Sequence, residues 1–180
     1  MGKLLMIVGP PGVGKDTVMK ELIKAGFERV PGYTTRSPRP GEVQGVHYNF
    51  LTTEQFLQKQ DELVGVTLLG NFWYGASVVD LIEALDQGKD VVIQPIVATA
   101  ELLKRLVPKA ILVYLTVSSA LVLKERMKRR GMSNEEIQRR LEDKKLMAPP
   151  SSLFDLIVMN SENQLDCTVK RIIEFVRNKE

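Results

Sequence analysis

The residues best placed to do chemistry start with Gly9-Pro10-Pro11-Gly12-Val13-Gly14-Lys15-Asp16-Thr17. The spacing G-x-x-x-x-G-K belongs to a loop that wraps an anion in main-chain N–H groups. Gly9, Gly12 and Gly14 permit the tight path, and Lys15 brings a point charge to terminal phosphates. A hydroxyl residue is expected directly after the lysine as a Mg²⁺ ligand, but Asp16 stands there and Thr17 one place on. A carboxylate also ligates Mg²⁺, which makes Asp16 and Thr17 the candidate metal ligands. An Asp after a glycine turn equally suits a helix N-cap.

Such a loop needs a strand before it and a helix after it. The apolar run Leu4-Leu5-Met6-Ile7-Val8 predicts the strand, and Val18, Met19, Leu22 and Ile23 mark one face of the helix. Farther on, 27–30 reads as a short strand. Residues 31–42 are dense in turn formers and too polar for core. Residues 46–50 alternate as a strand, 54–59 form a short helix capped by Thr52 or Thr53, and 63–69 is an extended apolar run closing on 71–75. From Ser77 the pattern becomes helix 77–85, strand 90–97, helix 99–106, strand 110–117, helix 120–130, helix 134–147 stopped by Pro149-Pro150, strand 156–159 and helix 165–176. Strands separated by helices of this length predict an α/β fold: a parallel sheet covered on both faces.

The chain of 180 residues is sized for one domain, and 44% apolar with 26% charged residues is a globular composition. No apolar run nears the roughly 20 residues of a membrane span. The first residues lead into a strand rather than a leader peptide, and Cys167 is the single cysteine, so a cytoplasmic protein is expected. Basic residues gather around Arg36 and Arg39, at 124–130, at Arg139-Arg140 and at Lys144-Lys145. They are read as serving phosphates of small ligands, not nucleic acid.

Thr34-Thr35-Arg36-Ser37-Pro38-Arg39-Pro40-Gly41-Glu42, followed by Gly45 and Tyr48, resembles the T-T-R-x-P-R-x-G-E…G-x-x-Y segment of guanylate kinases. The glycine loop, Tyr74-Gly75, Arg130-Gly131…Arg140-Leu141 and Asn160 extend the likeness over the whole chain. The resemblance implies a three-layer P-loop NTPase-type sheet with core 1–31, 77–120 and 151–180, an acceptor-binding insertion at 32–76 and a helical lid at 121–150. It implies transfer of the γ-phosphoryl of ATP, with Mg²⁺, to a nucleoside monophosphate such as GMP or dGMP. The acceptor phosphate then falls to Arg36, Arg39, Tyr48 and Tyr74. ATP falls to 9–17, Arg126 and Asn160, and Lys15, Arg36, Arg130 and Arg140 act on the transferred group. Alignment and charge neutralisation are what such a transfer needs. A lid is expected to close over it and exclude water. A monomer or homodimer is expected.

The positions that read guanine in this family fall on Gly65, Ala76 (with Ser77 one residue late), Gln94 and Ile96, and a phosphate-touching serine falls on Gly32. Glu62 or Ser77 could stand in if the alignment slips. The expectation is therefore an acceptor not read as guanine, either another nucleotide against Val66, Leu68 and Ile96 or a sugar phosphate. The latter follows because a ribose bisphosphate kinase family also carries Gly-Lys-Asp in its loop. A non-catalytic interaction module is the reading of another class, and it predicts a degraded loop, whereas this one is intact. The acid missing from the strand at 91–97 suggests that Asp16 replaces it toward Mg²⁺. His47 is read as structural, Asp90 as a solvated turn residue, and Phe72 and Trp73 as core of the insertion.

Overall fold

A computed structural model gives the fold and describes residues 1–142 and 151–179. The expected helix end at Met147, its Pro149-Pro150 stop, Lys144-Lys145 and the last part of the lid lie outside the described residues. The chain forms two compact units, Met1–Met6 with Gly26–Ala110, and Ile7–Ala25 with Ile111–Glu180.

In the first unit, strand β1 (Leu4–Val8) contributes Leu4–Met6, which run parallel to β7 (Val91–Ile93) in the register Leu4↔Val91 to Met6↔Ile93. The short β2 (Glu28–Arg29) flanks β7, also in parallel. All five residues of β1 are at most 2% exposed, as a strand covered on both faces requires. A separate mixed sheet has the order β4-β3-β6-β5, formed by β3 (Gly32–Thr34), β4 (Tyr48–Phe50), β5 (Leu63–Leu69) and β6 (Phe72–Ser77). β3 lies where only turns were expected. Its residues gain strand geometry from pairing with β6 on one side and β4 on the other, not from their own pattern. Helix α2 (Thr53–Lys59) starts with a complete capping box between Thr52 and Gln55. Its Phe56 is fully buried and stacks on Trp73, with ring centroids 6.3 Å apart. Trp73 thus belongs to a small core, but Phe72 is 40% exposed and does not.

Helix α3 (Val78–Asp86) is capped by Ser77, whose Oγ accepts from Asp80 N–H. Helix α4 spans Val97–Leu106, so the strand expected through Val97 ends at Ile93, and Val97 opens the helix instead. Asp90 receives the Lys3 N–H at 2.8 Å.

In the second unit, Ile7 and Val8 finish β1 and lead through the glycine loop into α1 (Lys15–Lys24). Strand β8 (Ile111–Thr116) pairs in parallel with β9 (Leu156–Met159). Helices α5 (Ala120–Arg129), α6 (Asn134–Glu142) and α7 (Leu165–Asn178) also belong to it. Across the chain the parallel strands run in the order β2-β7-β1-β8-β9 with helices on both faces, the arrangement expected.

Candidate active site

The glycine loop is built at the end of β1. Gly14 is the N-cap of α1 at φ 101°, a left-handed conformation costly for other residues, and it offers no side-chain cap. A Cβ there would meet Asn160 Nδ2 at 2.5 Å. The first helical amides thus lack a capping side chain and form the positive end of the helix dipole, the physical basis of an anion site. Lys15 Nζ folds back and donates to the carbonyls of Gly9 (2.7 Å) and Pro10 (3.1 Å). Burial pushes the Lys15 ammonium down to a pKa of about 8. Asp16 opposes that shift, and the positive charges of Arg130 and Arg140 reinforce it. Asp16 and Thr17 are exposed on the first turn of α1.

Beside this loop lies an open groove of about 350 Å³, lined by Gly12, Gly14, Thr17, Arg126, Arg130 and Asn160 among others. Arg126 bridges inward, donating from Nη1 to Val13 O (3.1 Å) and from Nη2 to Asn160 O (3.2 Å). The buried Asn160 donates from Nδ2 to the same Val13 oxygen at 2.7 Å. Thr168, which no sequence signal marked, donates to Asn160 Oδ1. Arg140 donates to Glu136 Oε1 at 2.6 Å, and Arg139 also pairs with Glu136. Arg129 pairs with Glu162 at 2.7 Å, both exposed.

The first unit holds its own polar cluster. Arg36 is 9% exposed and forks onto Glu42, Nη1 to Oε2 at 2.8 Å and Nη2 to Oε1 at 3.0 Å. Its guanidinium also lies 5.7 Å from the Tyr48 ring centre and 5.6 Å from that of Phe50. Tyr48 and Tyr74 meet edge to face at 6.2 Å. Burial works against the Glu42 carboxylate, but the Arg36 fork and the Arg39 N–H outweigh it and hold its pKa below the usual range. Arg39 itself is exposed.

Next to this cluster is a cavity of about 210 Å³, whose lining includes Gly32, Tyr33, Tyr48, Tyr74, Gln94 and Ile96. Ala76, Ser77 and Thr99 also line it, whereas Val66, Leu68 and Glu62 do not. Leu68 is half exposed, and Glu62 is turned to solvent in an ion pair with Lys59. Gly65 has φ +62°, and a Cβ on it would stand 2.4 Å from Thr99 Oγ1, so a side chain there collides with α4. Thr99 was invisible as a site residue because its partner, Gly65 O, is remote in sequence. His47 Nδ1 accepts the Val43 N–H at 3.0 Å, a structural bond of the kind expected for it.

A parallel α/β sheet whose first strand feeds a glycine loop and an uncapped helix defines a nucleotide-binding protein of the phosphate-loop class. The guanylate kinase family model matches residues 1–179. A guanylate kinase of Synechococcus sp. (strain JA-3-3Ab) is 35% identical over 164 residues, covering 88% of this chain and 76% of its own. One from Streptococcus thermophilus (strain CNRZ 1066) is 36% identical over 181 residues, covering 96% and 86%. The crystal structure of guanylate kinase from Anaplasma phagocytophilum shares the fold, with a TM-score of 0.75 at 19% identity over 98% of this chain and 85% of that one. The chain belongs to the guanylate kinase family and is an ATP-dependent nucleoside monophosphate kinase. These matches favour neither the sugar-phosphate kinase nor the interaction-module reading. No described helix is long and apolar enough to cross a membrane.

Proposed function

We propose that ATP binds the glycine loop and its groove with Mg²⁺, and that the acceptor monophosphate occupies the cavity beside Arg36, Tyr48 and Tyr74. Lys15, helped by Arg130 and Arg140, neutralises charge on the terminal phosphates of ATP. The Arg36 fork, fixed in orientation by Glu42, turns its remaining N–H groups to the acceptor phosphate. Tyr48 and Tyr74 add hydroxyls, and the exposed Arg39 swings in as a second cation. Arg126 and Asn160 hold the loop in shape by securing the Val13 carbonyl.

Thr17 and Asp16 would hold the metal. The described residues contain no group of three or more His, Cys, Asp or Glu able to cage a cation. That suits Mg²⁺, which keeps several waters and takes its other ligands from substrate phosphates. When bound, the ion supplies charge neutralisation across the phosphates.

The observation that carries this reading is the Lys15 ammonium, folded onto the loop carbonyls beside an uncapped helix start. An assay of ADP formation with Mg²⁺-ATP and each common nucleoside monophosphate tests it. Lys15→Met and Arg36→Met are each expected to lower kcat/KM by about 100-fold or more. If both variants keep the parent's rates with every acceptor, the assignment of roles is wrong.

A further inference from the structure

Among the described residues that line the first unit's cavity, none carries a carboxylate. Two of its hydroxyl donors, on Tyr33 and Thr99, are already spent. The Tyr33 hydroxyl donates to Asp80 Oδ2 at 2.9 Å, Ser77 Oγ accepts the Asp80 N–H at 3.1 Å, and the Thr99 hydroxyl donates to Gly65 O at 3.2 Å. Burial and the Asp80 partner push the Tyr33 hydroxyl up to about 12, so it keeps its proton and its donor stays spent. Gln94 differs, because it lines the cavity and its side-chain amide has no hydrogen-bond partner among the described residues. Leu81, Ile93 and Ile96 give the lining an apolar part. Thr99 fills the space where a side chain at Gly65 would stand.

We propose that the acceptor's base is read here by the neutral Gln94 amide, through a ring N–H and the carbonyl next to it, and that an amino group flanking that N–H goes unread. The proposal rests on the kinase reading of the same cavity. The chemistry follows from the donor and acceptor inventory. One amide N–H donates to the ring carbonyl, and the amide oxygen accepts the ring N–H. Guanine also presents an amino donor beside that N–H, and pairing both donors side by side requires the second oxygen of a carboxylate. Hypoxanthine lacks only this amino group and makes the same two bonds as guanine. A buried group built to bond an N–H rejects the analogue lacking it by a large factor, because its own atoms are left unpaired. Nothing in this lining suffers that loss. The acceptor class is thus a nucleoside monophosphate whose base carries the –NH–C(=O)– edge, with or without the 2-amino group.

The test is steady-state kinetics with GMP and IMP on the parent, Gln94→Glu and Gln94→Leu, with acceptor binding followed by calorimetry. The parent is expected to turn over the two within about fivefold of each other in kcat/KM. Gln94→Glu restores a second oxygen and should shift the ratio toward GMP by about 10- to 100-fold. Gln94→Leu should weaken both acceptors alike. A parent preference for GMP above about 100-fold overturns the inference and leaves the kinase reading standing. So does an unchanged ratio in a Gln94→Glu protein that still melts as the parent does. If the parent phosphorylates no nucleoside monophosphate at all, the kinase reading falls, and this inference with it.

Discussion

The side-chain amide of Asn160 and the guanidinium of Arg126 converge on one acceptor, the main-chain carbonyl of Val13, at 2.7 and 3.1 Å. The glycine loop is thereby held from its own unit by the end of β9 and by α5. Asn160→Ala removes one buried hydrogen bond and opens space next to Gly14. The expected result is a loss of about 1–2 kcal/mol in ATP binding, roughly a tenfold rise in Kd, because the loop amides lose their fixed aim. Acceptor binding, measured by calorimetry, should stay as it was.

Lys15 makes ATP binding depend on pH. Its ammonium loses its proton near pH 8 in the free protein, and an incoming polyphosphate favours the charged form. Binding above pH 8 must then take up a proton. Affinity should fall by about tenfold between pH 7 and pH 9, since only about a tenth of the lysine is protonated at the higher pH. Calorimetry in buffers of different ionisation heat reports the uptake directly, and Lys15→Met should abolish it. Stability runs the other way. The unfolded chain holds this proton up to pH 10.5 and the folded one only to about 8, so this group's contribution to stability rises with pH across that window.

Glu42 places the Arg36 fork. Glu42→Gln keeps the shape but removes the charge and one oxygen of the bidentate pair. KM for the acceptor should rise by about 10-fold, while KM for ATP stays unchanged. Because the Glu42 pKa is held below its usual value, the pair's stabilisation is complete above the ordinary carboxylate range and is lost as pH falls through the lowered value. Acid unfolding of Glu42→Gln should lack that component.

Phe56 anchors the mixed sheet through α2. It is fully buried against Trp73, and Phe56→Ala should cost about 3–5 kcal/mol in denaturant unfolding, the range for deleting a buried ring. Trp73 fluorescence reports the change locally.

What could be read in advance was local. β1, β5 and β9 announced themselves by apolar runs, and a capped helix was visible after Thr52 or Thr53, though only the structure assigns the cap to Thr52 with Gln55 as its partner. β3 was not, because Gly32–Thr34 sits among turn formers and takes its geometry from β6, about forty positions on. The glycine loop was legible as an anion site. The grip on Val13 was not, since a carbonyl 147 positions from Asn160 leaves no mark in the letters. The absence of an acid at Gly65 could be counted back from Tyr74, but the approach of Thr99, which leaves no room for a side chain there, appears only in three dimensions.

The parallel pairing of β3 with β4 (Gly32↔Tyr48 to Thr34↔Phe50) obliges residues 35–47 to cross back over the sheet. Arg36, Arg39 and Glu42 therefore ride on a strap anchored at the two ends of one three-rung ladder. Its length is fixed like that of a bowstring: one residue added or removed re-aims every charge it carries. The two-residue tip at Gly70 and Asn71, joining β5 to β6, bears no such constraint, and length variation between relatives should collect there.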